Sequence, residues 1–225
     1  MSAAAPPSYS ETIDAVKAAC ALINLSYGDG SVDGRIVSAI KETEYLAALK
    51  TSLEASHPAF TISIPKERYW YDIRINNIPI NLKLTTGGTD NAFNKVAILY
   101  SITGVEVRRN MNFDAWYGLI RSTPPKVSRD KATEYHYLAV HKTTGAVILK
   151  SIFDIHTYKA NPCNDLQISW RNEFANADYV CPSHHAKTQE LLRTVQASVL
   201  AAHASARLFA GADFGPGTVT VTADD

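Results

Sequence analysis

The fold is decided by the segment Tyr71-Asp72-Ile73-Arg74-Ile75-Asn76-Asn77-Ile78-Pro79-Ile80-Asn81-Leu82-Lys83-Leu84-Thr85, which predicts two strands joined by a tight turn. Asparagine tolerates the left-handed backbone that a two-residue hairpin loop requires, so Asn76 and Asn77 are expected to form that loop. Ile75 then lies opposite Ile78. Counting outward along both strands places Asp72 opposite Asn81.

This register separates apolar from polar side chains, because successive residues of a strand point to opposite faces of a sheet. The predicted apolar face consists of Tyr71, Ile73, Ile75, Ile78, Ile80, Leu82 and Leu84. The predicted polar face consists of Asp72, Arg74, Asn81, Lys83 and Thr85. Directly opposed Cβ atoms lie roughly 4.5 to 5.5 Å apart, so a carboxylate, an amide oxygen and an ammonium are expected to converge on one patch. Such a patch suits a divalent cation beside a lysine.

The composition indicates one sizeable domain. The chain has 225 residues, of which 46% are hydrophobic, and this is enough for a substantial core. We expect a single domain over residues 1–210, with a helical N-terminal part, and a flexible tail over 211–225. Its three cysteines are too few for a disulfide framework, which favours a cytoplasmic protein. No signal peptide or membrane span is expected.

The charge of the chain balances overall but is unevenly distributed. The sequence contains 22 basic and 22 acidic residues, yet residues 61–150 carry 13 Lys or Arg against 7 Asp or Glu. A basic middle region fits either an ordinary solvated face or a groove for a polyanion.

The order of predicted elements favours an α/β (α+β) fold with a mixed central β-sheet flanked by helices. A capping box of Ser8 and Glu11 begins the first helix, whose inner face carries Ile13, Val16, Cys20 and Ile23 and which is expected to end at Tyr27–Gly30. The second helix is predicted over 32–55, with Ile36, Ile40, Leu46, Leu49 and Leu53 toward the core. Further helices are predicted over 91–102, with Thr89 or Asp90 as cap, over 113–119 and over 183–208. Strands are predicted over 60–64, 69–75, 78–85 and 166–170, and a hairpin over 134–141 and 146–153.

The polar patch has the groups needed for metal-assisted phosphodiester hydrolysis. A bound Mg²⁺ lowers the pKa of a water and neutralises charge on the phosphate, and this ion prefers hard oxygen ligands. Asp72 would anchor the ion, Asn81 and the Leu82 carbonyl would add oxygens, and Lys83 would position the water. The alternative is an exposed ion pair between Asp72 and Lys83, which contributes about 0 to 1 kcal/mol.

Asp72, eight intervening residues and then Asn81-Leu82-Lys83 resemble the catalytic hairpin of PD-(D/E)XK nucleases. The continuation over residues 84–95 is similar to type II restriction endonucleases in that superfamily. The resemblance covers residues 60–105. It implies a restriction-endonuclease-like fold and Mg²⁺-dependent cleavage of double-stranded DNA at a specific sequence.

The chain departs from the family pattern at two positions. The family usually has Asp or Glu where this chain has Asn81, and often Pro where it has Tyr71. A further acid is therefore expected, because an amide supplies no negative charge. Such nucleases often add an acid from the preceding helix, which makes Glu44 the first candidate. The alternatives are Glu42, Glu54 and Asp90.

Several polar residues are candidates for DNA contacts. Asn side chains suit adenine edges, Arg suits guanine, and a helix start suits phosphate. The main candidates are Thr89, Asn91, Asn94, Lys95, Arg108, Arg109, Asn164, Gln167 and Arg171. The groove is further expected to include Arg121, Lys126, Arg129, Lys131 and Lys142, and Asn161 is expected near the base-reading surface. The alanine-rich last helix either packs within the domain or forms a homodimer interface. A non-catalytic DNA-binding module and a repair or RNA nuclease remain as alternative functions.

Overall fold

The computed structural model describes residues 7–23, 34–66, 69–107 and 111–210, and it describes side-chain surroundings except at 34–39 and 204–210. A five-stranded mixed sheet and a three-stranded sheet are combined with helices, which confirms the predicted mixed α/β class. The helices are α1 (Tyr9–Ala21), α2 (Gly34–Ser56), α3 (Lys95–Thr103), α4 (Phe113–Ser122), α5 (Trp170–Ala175) and α6 (His184–Ala210). The strands are β1 (Ile62–Ser63), β2 (Ile73–Ile75), β3 (Ile78–Thr85), β4 (Thr89–Asn91), β5 (His136–His141), β6 (Val147–Ser151), β7 (Tyr158–Asn161) and β8 (Asp165–Ser169).

The first sheet has the strand order β1-β2-β3-β5-β6. Its first three strands form an antiparallel meander, whereas β3 and β5 run parallel and β5 and β6 form an antiparallel hairpin. The chain passes from β3 to the parallel β5 through β4, α3 and α4. The second sheet has the order β4-β8-β7 and is antiparallel throughout.

The predicted hairpin and its register are confirmed. Asn76 and Asn77 have φ values of 47° and 70°, the left-handed backbone that the loop requires. Ile75 pairs with Ile78, and Ile73 pairs with Ile80.

The apolar face of this hairpin lies in a core cluster that it shares with α1 and α2. Its six aliphatic residues are buried there: Ile73, Ile75, Ile78, Ile80, Leu82 and Leu84. The placement of Tyr71 on this face was wrong. Tyr71 precedes β2, and its ring lies edge-on to Tyr69 and Trp70, against the core cluster on the other side of the sheet. Neighbouring aromatic rings therefore determine its position, in place of strand alternation.

The first two helices follow the predicted pattern with two exceptions. The capping box of Ser8 and Glu11 is present, and Ile13, Val16 and Cys20 are buried. In α2, the prediction for Ile40 was wrong, since its side chain is 53% exposed. The predicted end of the first helix at Tyr27–Gly30 was also wrong, because α1 ends at Ala21, where the Leu22 N–H turns back to the Ala19 carbonyl at 3.1 Å. The Ile36 side chain and the predicted tail over 211–225 lie outside the described residues.

The predicted helix over 91–102 begins later than expected. Asn94 caps α3 by accepting a hydrogen bond from the Ala97 N–H at 3.1 Å, and Thr89–Asn91 form β4 instead of the helix start. Thr89 pairs with Ser169 and Asn91 pairs with Gln167. The cap predicted at Thr89 or Asp90 was therefore wrong, because pairing with a distant strand takes these residues. The strand β7 and the short helix α5 were not predicted.

The helices of the described residues are not of the membrane-spanning kind, since none combines sufficient length with sufficient apolar character.

Candidate active site

The centre of the candidate site is the Asp72 carboxylate, which the hairpin holds in one orientation. Its Oδ2 accepts hydrogen bonds from Asn81 Nδ2 at 2.7 Å and from the Leu82 backbone N–H at 2.7 Å. The Asp72 N–H donates to the Ile80 carbonyl at 2.9 Å and so extends the ladder beyond β2. The structure therefore brings Asp72 and Asn81 together, as the register predicted.

Lys83 acts on this carboxylate through its charge without touching it. Burial raises the pKa of Asp72, while the Leu82 hydrogen bond and the Lys83 charge oppose the increase. Among the described residues, no ion pair within 4.0 Å joins Asp72 to Lys83, so the alternative of an exposed ion pair between them was wrong. Both side chains are half-buried, and Lys83 is near enough to favour the ionised carboxylate.

Helix α2 supplies an acid at Glu42 rather than at the first candidate, Glu44. Burial raises the pKa of Glu42, and the charges of Lys83, Asp72, Lys142 and Asp90 also act on it. Glu44 is instead exposed and bonded to Lys41 at 2.7 Å.

A signal for Glu42 was present in the sequence. Leu46, Leu49 and Leu53 form the buried stripe of α2, and Glu42 lies four residues before Leu46 on the same face. Glu44 is two residues farther along, which rotates it about 200° around the helix. The spacing therefore favours Glu42, as the structure does.

Asp90 is a third acid near the candidate site, and it lies on β4 of the second sheet. Its Oδ2 accepts a hydrogen bond from the Trp170 indole N–H at 2.6 Å, which fixes the carboxylate beside β8. Its negative charge contributes to the raised pKa of Glu42, so the two acids lie within electrostatic range of each other. Asp90 is thus a secondary acid of the site.

The donor set fits Mg²⁺. Within the described part of the chain, Oδ1 of Asp72 accepts no hydrogen bond, and Glu42 provides a second carboxylate nearby. The N–H and C=O of a strand residue lie on the same edge, so the Leu82 carbonyl faces the same side as its N–H, toward Asp72. No group of three or more His, Cys, Asp or Glu among the described residues is arranged as a metal cage. Mg²⁺ needs none, because it is usually bound through one or two carboxylates and keeps several waters.

The candidate DNA contacts divide into two groups. Asn91, Asn164 and Gln167 come together on the second sheet, where Asn91 bonds to Asn164 at 2.9 Å and to Gln167 at 3.2 Å. Thr89 on β4 and Arg171 on α5 are exposed near them. Asn94 and Lys95 lie elsewhere.

Asn94 and Lys95 use their side chains for hydrogen bonds within the fold. In addition to capping α3, Asn94 donates to the Trp70 carbonyl at 2.8 Å. Lys95 donates to the Met111 carbonyl at 3.1 Å. These two side chains therefore do not belong to the cluster formed by Asn91, Asn164 and Gln167. Arg108 and Arg109 lie outside the described residues.

Three residues of the predicted basic groove make contacts within the protein instead. Arg129 bonds both to Glu134 at 2.8 Å and to Asp154 at 2.7 Å, and only 16% of its side chain is exposed. Lys126 donates to the Thr133 carbonyl at 2.6 Å, and Lys131 pairs with Asp154 at 3.1 Å. The prediction that Arg129 lines the groove was wrong, because two buried carboxylates already bind its guanidinium.

Comparisons with protein-family models, with curated proteins and with solved structures found no match. A functional assignment therefore rests on the hydrogen bonds that join Asp72 to Asn81 and Leu82 and on the charges of Lys83 and Glu42 nearby.

Proposed function

We propose that the protein is a Mg²⁺-dependent endonuclease of the restriction type, which cuts double-stranded DNA at a specific sequence and acts as a homodimer. The observation that carries this proposal is the Asp72 carboxylate held by Asn81 and Leu82. Lys83 and Glu42 complete the patch through their charges. Two acids and a lysine that act on one another electrostatically are the groups that metal-assisted phosphodiester hydrolysis needs.

Each residue has a distinct role in the proposed reaction. Asp72, Glu42 and the Leu82 carbonyl would hold the ion, and Asn81 fixes the orientation of Asp72. A bound Mg²⁺ supplies a water of lowered pKa and neutralises charge on the phosphate. Lys83 donates a hydrogen bond to the attacking water and stabilises negative charge as it develops.

The homodimer follows from the substrate. A duplex cut on both strands at a palindromic site has two-fold symmetry, which a two-fold dimer matches. The suggested interface is on α6, where Ala197 and Leu200 lie at the surface. Sedimentation equilibrium with and without duplex DNA measures the stoichiometry.

The first prediction concerns Lys83. Purified protein incubated with Mg²⁺ and a panel of diverse duplex DNAs is expected to give discrete fragments. Lys83→Ala should lower the single-turnover cleavage rate by about 100-fold or more, because it removes a donor aimed at developing charge. DNA affinity should remain within a few fold. Lys50→Ala is the matched control, since Lys50 makes only a long surface contact of 3.6 Å with Glu54.

The results that would contradict the proposal are specific. An absence of products across the panel at any Mg²⁺ concentration argues against catalysis. Equal cleavage by the Lys83→Ala and Lys50→Ala proteins argues against the assigned site.

The second candidate function is a DNA-binding module without catalysis. One observation favours it. Asn81 stands where PD-(D/E)XK nucleases usually have an acid, and its side chain donates a hydrogen bond to Asp72 that needs no metal. This alternative expects DNA binding that is indifferent to Mg²⁺ and yields no products. The same cleavage panel therefore distinguishes the two functions.

A further inference from the structure

The second sheet presents a polar row to solvent. Asn91 on β4, Gln167 on β8 and Lys159 on β7 are direct cross-strand neighbours. The opposite face of this sheet is apolar and buried, with Leu166 and Ile168 in the core. Side chains of a strand alternate between the two faces, so the row is the solvated side of a half-covered sheet.

The amides of this row are ordered by one another. Gln167 Nε2 donates to Asn91 Oδ1 at 3.2 Å, and Asn91 Nδ2 donates to Asn164 Oδ1 at 2.9 Å. Asn164 lies in the turn between β7 and β8. Exposed amides ordinarily sample several rotamers, and immobilising such a side chain on binding costs conformational entropy. Here the hydrogen bonds already order the side chains in the free protein, so little further ordering is needed when a ligand binds.

Gln167 retains the groups that a base edge requires. Only one hydrogen of its Nε2 is used in the bond to Asn91, and in the described part of the chain its Oε1 accepts no hydrogen bond. An acceptor and a donor remain side by side on the same amide. Adenine presents the matching pair in the major groove, an N6 donor and an N7 acceptor.

The row is linked to the candidate active site by the short segment between β3 and β4. Strand β4 begins four residues after Thr85, the last residue of β3. The carbonyl of Gly88 accepts a hydrogen bond from the Trp170 N–H at 3.0 Å, and that of Gly87 accepts one from the Arg171 N–H at 3.2 Å. These bonds fix the end of β3 against the end of β8. A duplex with its backbone at Asp72 would therefore pass the second sheet.

We propose that this three-stranded sheet reads adenine in the major groove of duplex DNA, with Gln167 as the specificity-determining residue. Gln167 Oε1 accepts a hydrogen bond from adenine N6, and Nε2 donates to N7. Asn91 and Asn164 position Gln167, and Lys159 contacts a neighbouring phosphate. This inference rests on the proposed function, since it names how that nuclease selects its substrate.

The chemistry of the row favours DNA over a protein partner. Its members Asn91, Gln167 and Lys159 are polar or basic, and the next pair along β4 and β8 is Thr89 and Ser169. Protein interfaces have an apolar centre with aromatic residues, which this row lacks. Amides flanked by a lysine match base edges flanked by phosphates.

The test uses selection from a pool of duplexes with a randomised centre. The Lys83→Ala protein serves as the parent, because it binds without cutting. We expect it to enrich a sequence with an A·T pair at a fixed position. Adding Gln167→Ala should weaken the preference for adenine at that position by roughly tenfold or more and leave the other positions unchanged. Gln196→Ala, an exposed residue of α6, is the matched control and should select the parent sequence.

Two further arms make the assignment specific. Replacing the adenine by 7-deazaadenine removes N7, so the parent should lose affinity while the Gln167→Ala protein should be insensitive. Gln167→Glu keeps the acceptor but loses the donor, so its preference should move from adenine toward cytosine. Melting temperatures verify that each variant is folded.

The outcomes separate this inference from the proposed function. If wild-type protein cuts DNA at a defined sequence and Gln167→Ala selects that sequence equally strongly, the inference is overturned and the nuclease stands. Cleavage without any sequence preference also overturns it. If the protein neither binds nor cuts DNA, both proposals fail.

Discussion

Asp72 is a carboxylate whose position favours function over stability. Burial raises its pKa above the ordinary value, despite the hydrogen bond from Leu82 and the charge of Lys83. Between the unfolded-state pKa and this raised value, the folded state binds more protons than the unfolded state. Stability therefore falls as pH rises through that window and stays lower at neutral pH. The ionised form that a metal requires is the one that the fold disfavours.

The second prediction follows from this linkage. Asp72→Asn keeps an oxygen that can accept a hydrogen bond but removes the buried charge, so it should raise the melting temperature at neutral pH. The gain should vanish at acidic pH, where Asp72 is protonated in both states. Cleavage should fall by about 100-fold or more, because the anchoring carboxylate is gone. Thermal unfolding at a series of pH values measures the first effect, and a gain that is independent of pH would contradict the explanation.

The residues of the hairpin show what a sequence alone predicts. Two asparagines with left-handed backbone and strict alternation of isoleucine fix the turn and the register, and hence the pairing of Asp72 with Asn81. These are local rules. The same rule misplaced the Tyr71 side chain. Tyr71 lies before β2, where ring contacts with Tyr69 and Trp70 determine its orientation.

At the scale of elements, α2 decides which acid reaches the site. Its buried leucine stripe faces the first sheet, and Glu42 extends that stripe toward Lys83 and Asp72. Glu44 occupies a different face of the same helix, where it pairs with Lys41. The orientation of the whole helix thus selects one glutamate of the two.

The third prediction compares these two glutamates. Glu42→Gln should reduce the cleavage rate at low Mg²⁺ by about 10-fold to 100-fold, because it removes a carboxylate that helps to hold the ion. Glu44→Gln should leave the rate within about twofold. Cleavage rates over a range of Mg²⁺ concentrations measure the difference, and higher Mg²⁺ should partly restore the Glu42→Gln protein. Equal rates in the two variants would remove Glu42 from the site.

The second sheet shows where element prediction fails. Thr89–Asn91 follow two glycines and look like the start of a helix, but pairing with β8 makes them a strand. The residue that caps α3 is Asn94. The predicted caps, Thr89 and Asp90, also have side chains that can cap a helix. Only the distant partner strand distinguishes these choices, and a local pattern does not contain it. The clustering of Asn91 with Gln167 was unpredictable for the same reason.

At the scale of the whole molecule, the first sheet separates two apolar clusters, and buried ion pairs tie the parts together. Lys150 on β6 bonds to Glu173 on α5 at 3.0 Å, and both side chains are nearly inaccessible, with 4% and 0% exposed. Glu173 also accepts hydrogen bonds from the backbone N–H groups of His156 and Thr157, just before β7. One carboxylate therefore joins β6, at the edge of the first sheet, to the segment that leads into β7 of the second sheet.

The fourth prediction tests this connection. Lys150→Met should destabilise the protein by about 3 to 5 kcal/mol, because it leaves the Glu173 charge buried and unpaired. Urea unfolding measures the loss, and the double variant Lys150→Met/Glu173→Gln should lose less than the sum of the single variants. Lys50→Met, which breaks the exposed pair with Glu54, is the matched control and should cost about 1 kcal/mol or less. A loss for Lys150→Met no larger than that of the control would mean that water or another group compensates Glu173, and that the two sheets are held together by apolar packing alone.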